Sequence, residues 1–201
     1  MNQTLALDVG GTKIDICVFD ERATLISSKI VPTDQLSKGS LKFGDDLGDL
    51  ITHALSPDIS HVTIALKAMV KNGIVLQSVL LGGRVDAPLA RELTNKCGKP
   101  VAIENDVVCM TKAEATFGKG KNCESFVLLN MGTGIRLGFV RDGEYVSGFT
   151  NNAGEISERM IVIPELDHAT IKIDDVLSGK GITNLYQRVS GKTETPQSIW
   201  S

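Results

Sequence analysis

Leu5-Ala6-Leu7-Asp8-Val9-Gly10-Gly11-Thr12-Lys13 decides how the rest of the chain is read. A short apolar run, 4–9, delivers an acid, then two glycines, a hydroxyl and a cation. Residues 14–20 are apolar again, so two strands flank the turn Gly10-Gly11-Thr12-Lys13. Glycine has no Cβ, which lets backbone N–H groups approach an anion closely. Thr12 adds a hydroxyl donor and Lys13 a positive charge. Asp8 cannot bind a phosphate directly, because like charges repel. It can hold Mg²⁺ through water, and the metal then bridges the phosphates. A plain hairpin closed by Gly-Gly is the competing account. Asp, Gly-Gly and Thr together exceed what a hairpin needs. The patterns GxxxxGK[ST] and strand-GxGxxG are both missing from the sequence, so Walker-type and Rossmann folds lose their main support.

Outward from this segment, 24–31 is a third β-rich run ending at Pro32, and the polar, Gly/Ser-containing stretch 33–44 reads as loop. Leu47, Leu50, Ile51 and Ala54 share a face, which predicts a helix over 45–55. Strands are expected at 61–67 and 73–80. A helix is expected at 87–97, with Asp86 as N-cap and Gly98 as stop. An apolar strand, 100–104, runs into Asn105-Asp106, and a helix follows to Phe117, ended by Gly118.

The second half opens with strand 124–130, a Gly-Thr-Gly turn, strand 135–140 and the turn Asp142-Gly143. This loosely repeats the first twenty residues and suggests two related halves, 1–118 and 119–201, with Lys119-Gly120-Lys121 as the hinge. Ile182, Leu185, Tyr186 and Val189 mark a helix at 182–189. Trp200 and Ile199 near the last residue suggest packing there, or an end that interrupts a longer design.

Three further motifs carry chemistry. Gly132-Thr133-Gly134 again offers glycine backbone and a hydroxyl after a strand. A tight turn explains it equally well alone, but with the first loop it could grip a triphosphate from a second side. In Glu104-Asn105-Asp106, Asp106 could accept the proton of a substrate hydroxyl and Asn105 could bind a neighbouring hydroxyl. Helix capping is the alternative there. In Ala153-Gly154-Glu155-Ile156, Glu155 could accept hydrogen bonds from sugar hydroxyls, or be a solvated loop acid.

Composition excludes several classes. The 201 residues are 42% hydrophobic and 22% charged with net charge −3, so no global basic field attracts nucleic acid. Cys17, Cys97, Cys109 and Cys123 form no CxxC pair and have no histidine cluster, so no zinc is expected; three of them lie in or beside apolar segments, so buried free thiols are. The first residues lack the charged region of a signal peptide, and no stretch reaches the about 20 apolar residues that span a bilayer. No membrane partner is expected, and cytoplasmic location is the default.

In order and spacing the four motifs resemble the ROK (repressor, ORF, kinase) family of sugar kinases, from about residue 5 to the C-terminus. ALDVGGTK looks like its first phosphate motif, and ENDVVCMTKAEATFGKGKN like the segment of its catalytic aspartate. LNMGTGI resembles the second phosphate motif, NNAGEI the sugar-binding segment, and LSGKGITNLYQ the helix beyond. The resemblance implies an α/β, actin-like ATPase (ribonuclease H-like) fold of two domains around a cleft, the second incomplete here. It implies ATP, Mg²⁺ and a hexose or N-acetylated amino-sugar as reactants. Asp8, Gly10, Gly11, Thr12 and Lys13 would lie at the phosphates, with Gly132, Thr133 and Gly134 on the other side. Asp106 would be the general base, and Asn105 and Glu155 sugar ligands. A homodimer is expected by resemblance only.

The chain also departs from the family. Ser157-Glu158 stands where GEIGH has its zinc-binding histidine, and the cysteine-rich zinc segment does not follow. Lys67-Ala68-Met69 replaces a Gly/Pro-rich turn, and Ile135-Arg136-Leu137 a glycine-rich run. Members run to roughly twice a typical domain length and carry a later glycine motif for adenine that these residues do not reach. Two functions follow: an ATP-dependent sugar kinase, or a catalytically silent or truncated sugar- or nucleotide-binding relative. The first strand starts by Leu5, so a repressor with an N-terminal helix-turn-helix ranks low.

Overall fold

The structure, a computed structural model, describes residues 2–149, 152–164 and 168–199. The chain divides into two compact units, Met1–Cys109 and Met110–Ser201. Trp200, whose packing the sequence raised, lies outside the described residues.

In the first unit, β1 (Gln3–Val9), β2 (Lys13–Phe19) and β3 (Leu25–Pro32) form consecutive antiparallel hairpins. Helix α1 (Lys42–Ala54) follows, then β4 (Ile59–Leu66). A small antiparallel sheet comes next: β5 (Met69–Lys71), β6 (Ile74–Ser78) and β7 (Gly83–Ala87). Then come α2 (Leu89–Cys97) and β8 (Val101–Asn105). The main sheet has the order β3-β2-β1-β4-β8, with β1, β4 and β8 parallel. Leu5, Leu7 and Val9 of β1 and Val62, Ile64 and Leu66 of β4 point to one face. There they join Phe43, Leu47 and Ile51 of α1 and Leu89 and Leu93 of α2 in a single buried core.

Glycine sets how closely the two helices pack. A Cβ on Gly44 would stand 3.0 Å from Leu89 Cδ1, and one on Gly48 would stand 3.2 Å from Leu93 Cδ2. Gly44, with Gly39 and the polar residues before it, made 33–44 read as loop. The structure instead forms a 3₁₀ turn at Thr33–Gln35 and starts α1 at Lys42. The Asp86 cap is also corrected. Asp86 lies inside β7 with φ 46° and bonds Arg84, while Pro88 occupies the α2 N-cap without a side-chain bond. Gly98 does stop α2, in the left-handed conformation. Strand 73–80 ends at Ser78, whose hydroxyl caps a short 3₁₀ turn over Val79–Leu81.

Helix α3 (Asp106–Phe117) carries the boundary between the units, and a 3₁₀ turn at Lys119–Asn122 follows it. In the second unit β9 (Phe126–Met131), β10 (Ile135–Arg141) and β11 (Glu144–Tyr145) form an antiparallel sheet. The turn Asp142-Gly143 has positive φ at both residues (53° and 77°), as a tight two-residue hairpin turn requires. Thr111 of α3 is fully buried against β10, where a Cβ on Gly138 would fall 1.8 Å from its hydroxyl oxygen. The hairpin β12 (Met160–Ile163)–β13 (Ala169–Lys172) follows, then α4 (Asp174–Leu177), α5 (Gly179–Ser190) and α6 (Pro196–Ile199). The repeat seen in the sequence is a repeat of structure: β1-β2-β3 and β9-β10-β11 are both three-strand antiparallel meanders with a glycine loop at the first turn. Of the predicted α5 face, Val189 is 73% exposed. Among the described residues no helix is long and apolar enough to cross a membrane. The expected burial of the cysteines is corrected: Cys17, Cys97 and Cys109 are half-buried, and Cys123 is exposed.

Candidate functional site

In the first unit the parallel strands bring two predicted motifs to one end of the sheet. Asp8 pairs in register with Ala65, and Ala65 with Glu104, so these three form one row across β1, β4 and β8. Asn105 ends β8, and Asp106 begins α3. The carboxyl ends of parallel strands are where open α/β sheets bind ligands. Asp8 keeps solvent contact, yet partial burial, and then the charges of Asp106 and Asp15, raise its carboxyl above the ordinary range. Lys13 acts in the opposite direction. Among the described residues no cluster of three or more His, Cys, Asp or Glu has metal-holding geometry. A divalent cation here would lean on Asp8, whose excess negative surroundings fit a cation, and on the oxygens of its own ligand and water.

The 10–13 loop is held by residues that the sequence did not single out. Gly10 N–H donates to Lys13 O at 3.0 Å, closing the turn. The Thr33 hydroxyl, fully buried, donates to Gly10 O at 2.9 Å, and Thr33 N–H donates to Thr12 O at 2.9 Å. Lys38 Nζ donates to Gly11 O at 3.2 Å. A polar residue directly after the β-strand proline was the only available signal for Thr33. Lys13 itself pairs with Asp15 at 2.8 Å, and that bond raises its ammonium above the usual range. Among the described residues, Gly11's chain neighbours aside, no atom lies within 4 Å of where a Gly11 Cβ would stand, so the loop's outer side is open.

Asn105 does cap α3. Its Oδ1 accepts from Val107 N–H (2.9 Å) and Val108 N–H (3.1 Å), and its Nδ2 donates to Ala68 O (2.8 Å). Lys67-Ala68-Met69, where the chain departs from the family, thereby anchors Asn105. Asp106 Oδ1 accepts from Val107 N–H at 3.0 Å.

The second unit gathers the other two motifs. Gly132 N–H donates to Gly134 O at 3.1 Å, which closes the Gly132-Thr133-Gly134 loop, with Thr133 exposed. The segment bearing Glu155 lies along β10: Leu137 N–H donates to Gly154 O at 3.0 Å. Gly154 has φ +90°, and a Cβ there would fall 1.7 Å from Leu137 O, so only glycine fits. Glu155 is not a solvated loop acid. Its Oε1 lies 3.1 Å from Arg136 Nε, both side chains mostly withdrawn from water. Glu158, in place of the family's histidine, bonds Lys172 at 2.6 Å on the surface.

The ROK family model matches residues 4–200. The chain is 31% identical over 183 residues to an uncharacterized protein of Clostridium perfringens, covering 88% of this chain and 62% of that protein. It is 28% identical to the N-acetyl-D-glucosamine kinase of Haemophilus influenzae, over 96% of this chain and 68% of the kinase. The chain thus spans about two thirds of the length of these relatives. In fold it matches the ROK family glucokinase of Streptomyces griseus, solved with glucose and AMPPNP. That match has a TM-score of 0.74 at 22% identity, over 94% of this chain and 62% of that one.

Proposed function

The chain belongs to the ROK family, with its mixed α/β actin-like fold, and from that premise we propose that it carries the phosphate-binding and sugar-activating part of an ATP-dependent sugar kinase. The observation that carries this reading is the grouping at one sheet end of Asp8, the 10–13 loop, Asn105 and Asp106. A hexose or an N-acetylated amino-sugar is the proposed acceptor, supported by the names of the relatives.

In the proposed reaction Asp106 takes the proton of a sugar hydroxyl. The freed oxygen forms a bond to the terminal phosphorus, and the bond from that phosphorus to the bridging oxygen breaks, with ADP leaving. Asn105 is rigidly placed by its cap and by Ala68, so the N–H not used in those bonds can be aimed without reorganisation. The open side of the 10–13 loop and the 132–134 loop would hold phosphate oxygens, and Glu155 a sugar hydroxyl. Magnesium, when bound, would neutralise phosphate charge, with Asp8 holding it through water.

Titration calorimetry of the chain with MgATP, and separately with hexoses and N-acetylated amino-sugars, tests this. Binding of MgATP that Gly11→Val abolishes, with phosphoryl transfer that Asp106→Asn abolishes, is the expected result. A folded chain that binds no MgATP would leave the second reading, a catalytically silent relative. The ion pairs that already engage Lys13 and Glu155 favour that alternative.

A further inference from the structure

We propose that Asp174 is a positioning residue for the Gly132-Thr133-Gly134 loop, setting its conformation for a nucleotide's phosphates. The inference rests on reading that loop as a phosphate loop. Asp174 lies 39 residues beyond Ile135, at the start of α4, and its Oδ1 accepts the Ile135 N–H at 2.9 Å. Ile135 is 1% exposed, so no water can replace that acceptor. A second anchor comes from the same short stretch: Gly179 N–H donates to Gly132 O at 2.9 Å. A Cβ on Gly134 would stand 3.2 Å from Asp174 Oδ1, and one on Gly179 would stand 3.2 Å from Gly132 O. The loop is therefore gripped at both ends by residues 174–179, with glycine at each close approach.

A three-residue loop with two glycines has many conformations to lose when it binds an anion. Tethering it before the ligand arrives removes part of that cost. Of the two bonds in the grip, Asp174 makes the one from a side chain, and it acts as an acceptor. Its negative charge does not help an anion. The carbonyl of an asparagine can accept the same N–H, so the role is separable from the charge.

The experiment compares the wild-type chain with Asp174→Ala and Asp174→Asn by MgATP titration and by amide hydrogen exchange. Asp174→Ala should weaken MgATP binding by about tenfold, the worth of one lost hydrogen bond to a charged acceptor. It should also speed exchange at residues 132–136, while Phe126–Leu128, at the far end of the same β9–β10 ladder, stay unchanged and report an intact second unit. Asp174→Asn should bind MgATP at least as tightly as wild type, with slow exchange kept. Wild-type exchange at 132–136 in Asp174→Ala, or an Asp174→Asn as weak as the alanine variant, overturns the proposal while the kinase reading stands. A wild-type chain that binds no MgATP overturns both.

Discussion

Arg136 Nε lies 3.1 Å from Glu155 Oε1, with the two side chains only 18% and 29% exposed. One residue belongs to the strand after the second glycine loop, and the other to the segment that straps along that strand. A pair this far out of water is worth more than a surface ion pair, and removing one partner leaves the other partly buried and uncompensated. Arg136→Ala should lower unfolding free energy by about 1–2 kcal/mol, discounted for the remaining solvent contact. In a double-mutant cycle with Glu155→Gln the losses should be less than additive. Fully additive losses in urea titrations would show that the two side chains do not interact.

Two glycines predict opposite outcomes for the same substitution. Gly11 has open space where its Cβ would go, so Gly11→Val should leave the melting temperature nearly unchanged while removing MgATP binding. Gly154 has φ +90° and would drive a Cβ into Leu137 O at 1.7 Å. Gly154→Val should destabilise by about 2–4 kcal/mol or prevent folding. Parallel melting curves check both.

What could be read from the sequence follows from how local each signal was. The hairpins around Gly10-Gly11 and Gly132-Thr133-Gly134 were legible because alternating apolar runs and glycine turns lie within twenty residues. The Asp142-Gly143 turn and the Gly98 stop were legible for the same reason. The start of α1 was hidden because Gly44, at the end of a polar stretch, resembles a loop residue until Leu89 of α2 lies against it. The grips of Thr33 on Gly10, Ala68 on Asn105 and Asp174 on Ile135 span 23, 37 and 39 residues. Such bonds exist only once the fold does, so no local pattern marks them. Arg136 was legible as a departure from the family, but not as the partner of Glu155.

Thr33 offers a test of the first loop independent of any ligand. Its hydroxyl is fully buried and donates to Gly10 O at 2.9 Å. Valine has nearly the same shape but cannot donate, so Gly10 O would lose a buried partner. Thr33→Val should cost about 1–2 kcal/mol. It should also speed amide exchange at Lys13–Ile14 more than at the far end of the same hairpin. Thr33→Ser, which keeps the hydroxyl, should restore slow exchange there. Equal exchange in all three proteins would mean the bond does not hold the loop.

Asp8 should cost stability where it is ionised. Partial burial, and then Asp106 and Asp15, raise its carboxyl above the ordinary value of 3.8. The folded state therefore binds a proton more readily than the unfolded chain in the window just above that value. Stability falls as pH rises through this window, and the penalty is complete once Asp8 is ionised in both states. Asp8→Asn removes the penalty. At neutral pH the variant should melt higher than wild type, and the gain should shrink as pH drops towards 3.8 and below. The same variant should lose magnesium-dependent nucleotide binding, because the carboxylate that disfavours the empty fold is the one proposed to hold the cation. Melting curves at several pH values, with and without MgATP, separate the two effects. A wild type more stable than Asp8→Asn at neutral pH without ligand would show that Asp8 contributes to the fold, and the sheet end would then not be a site of stored negative charge.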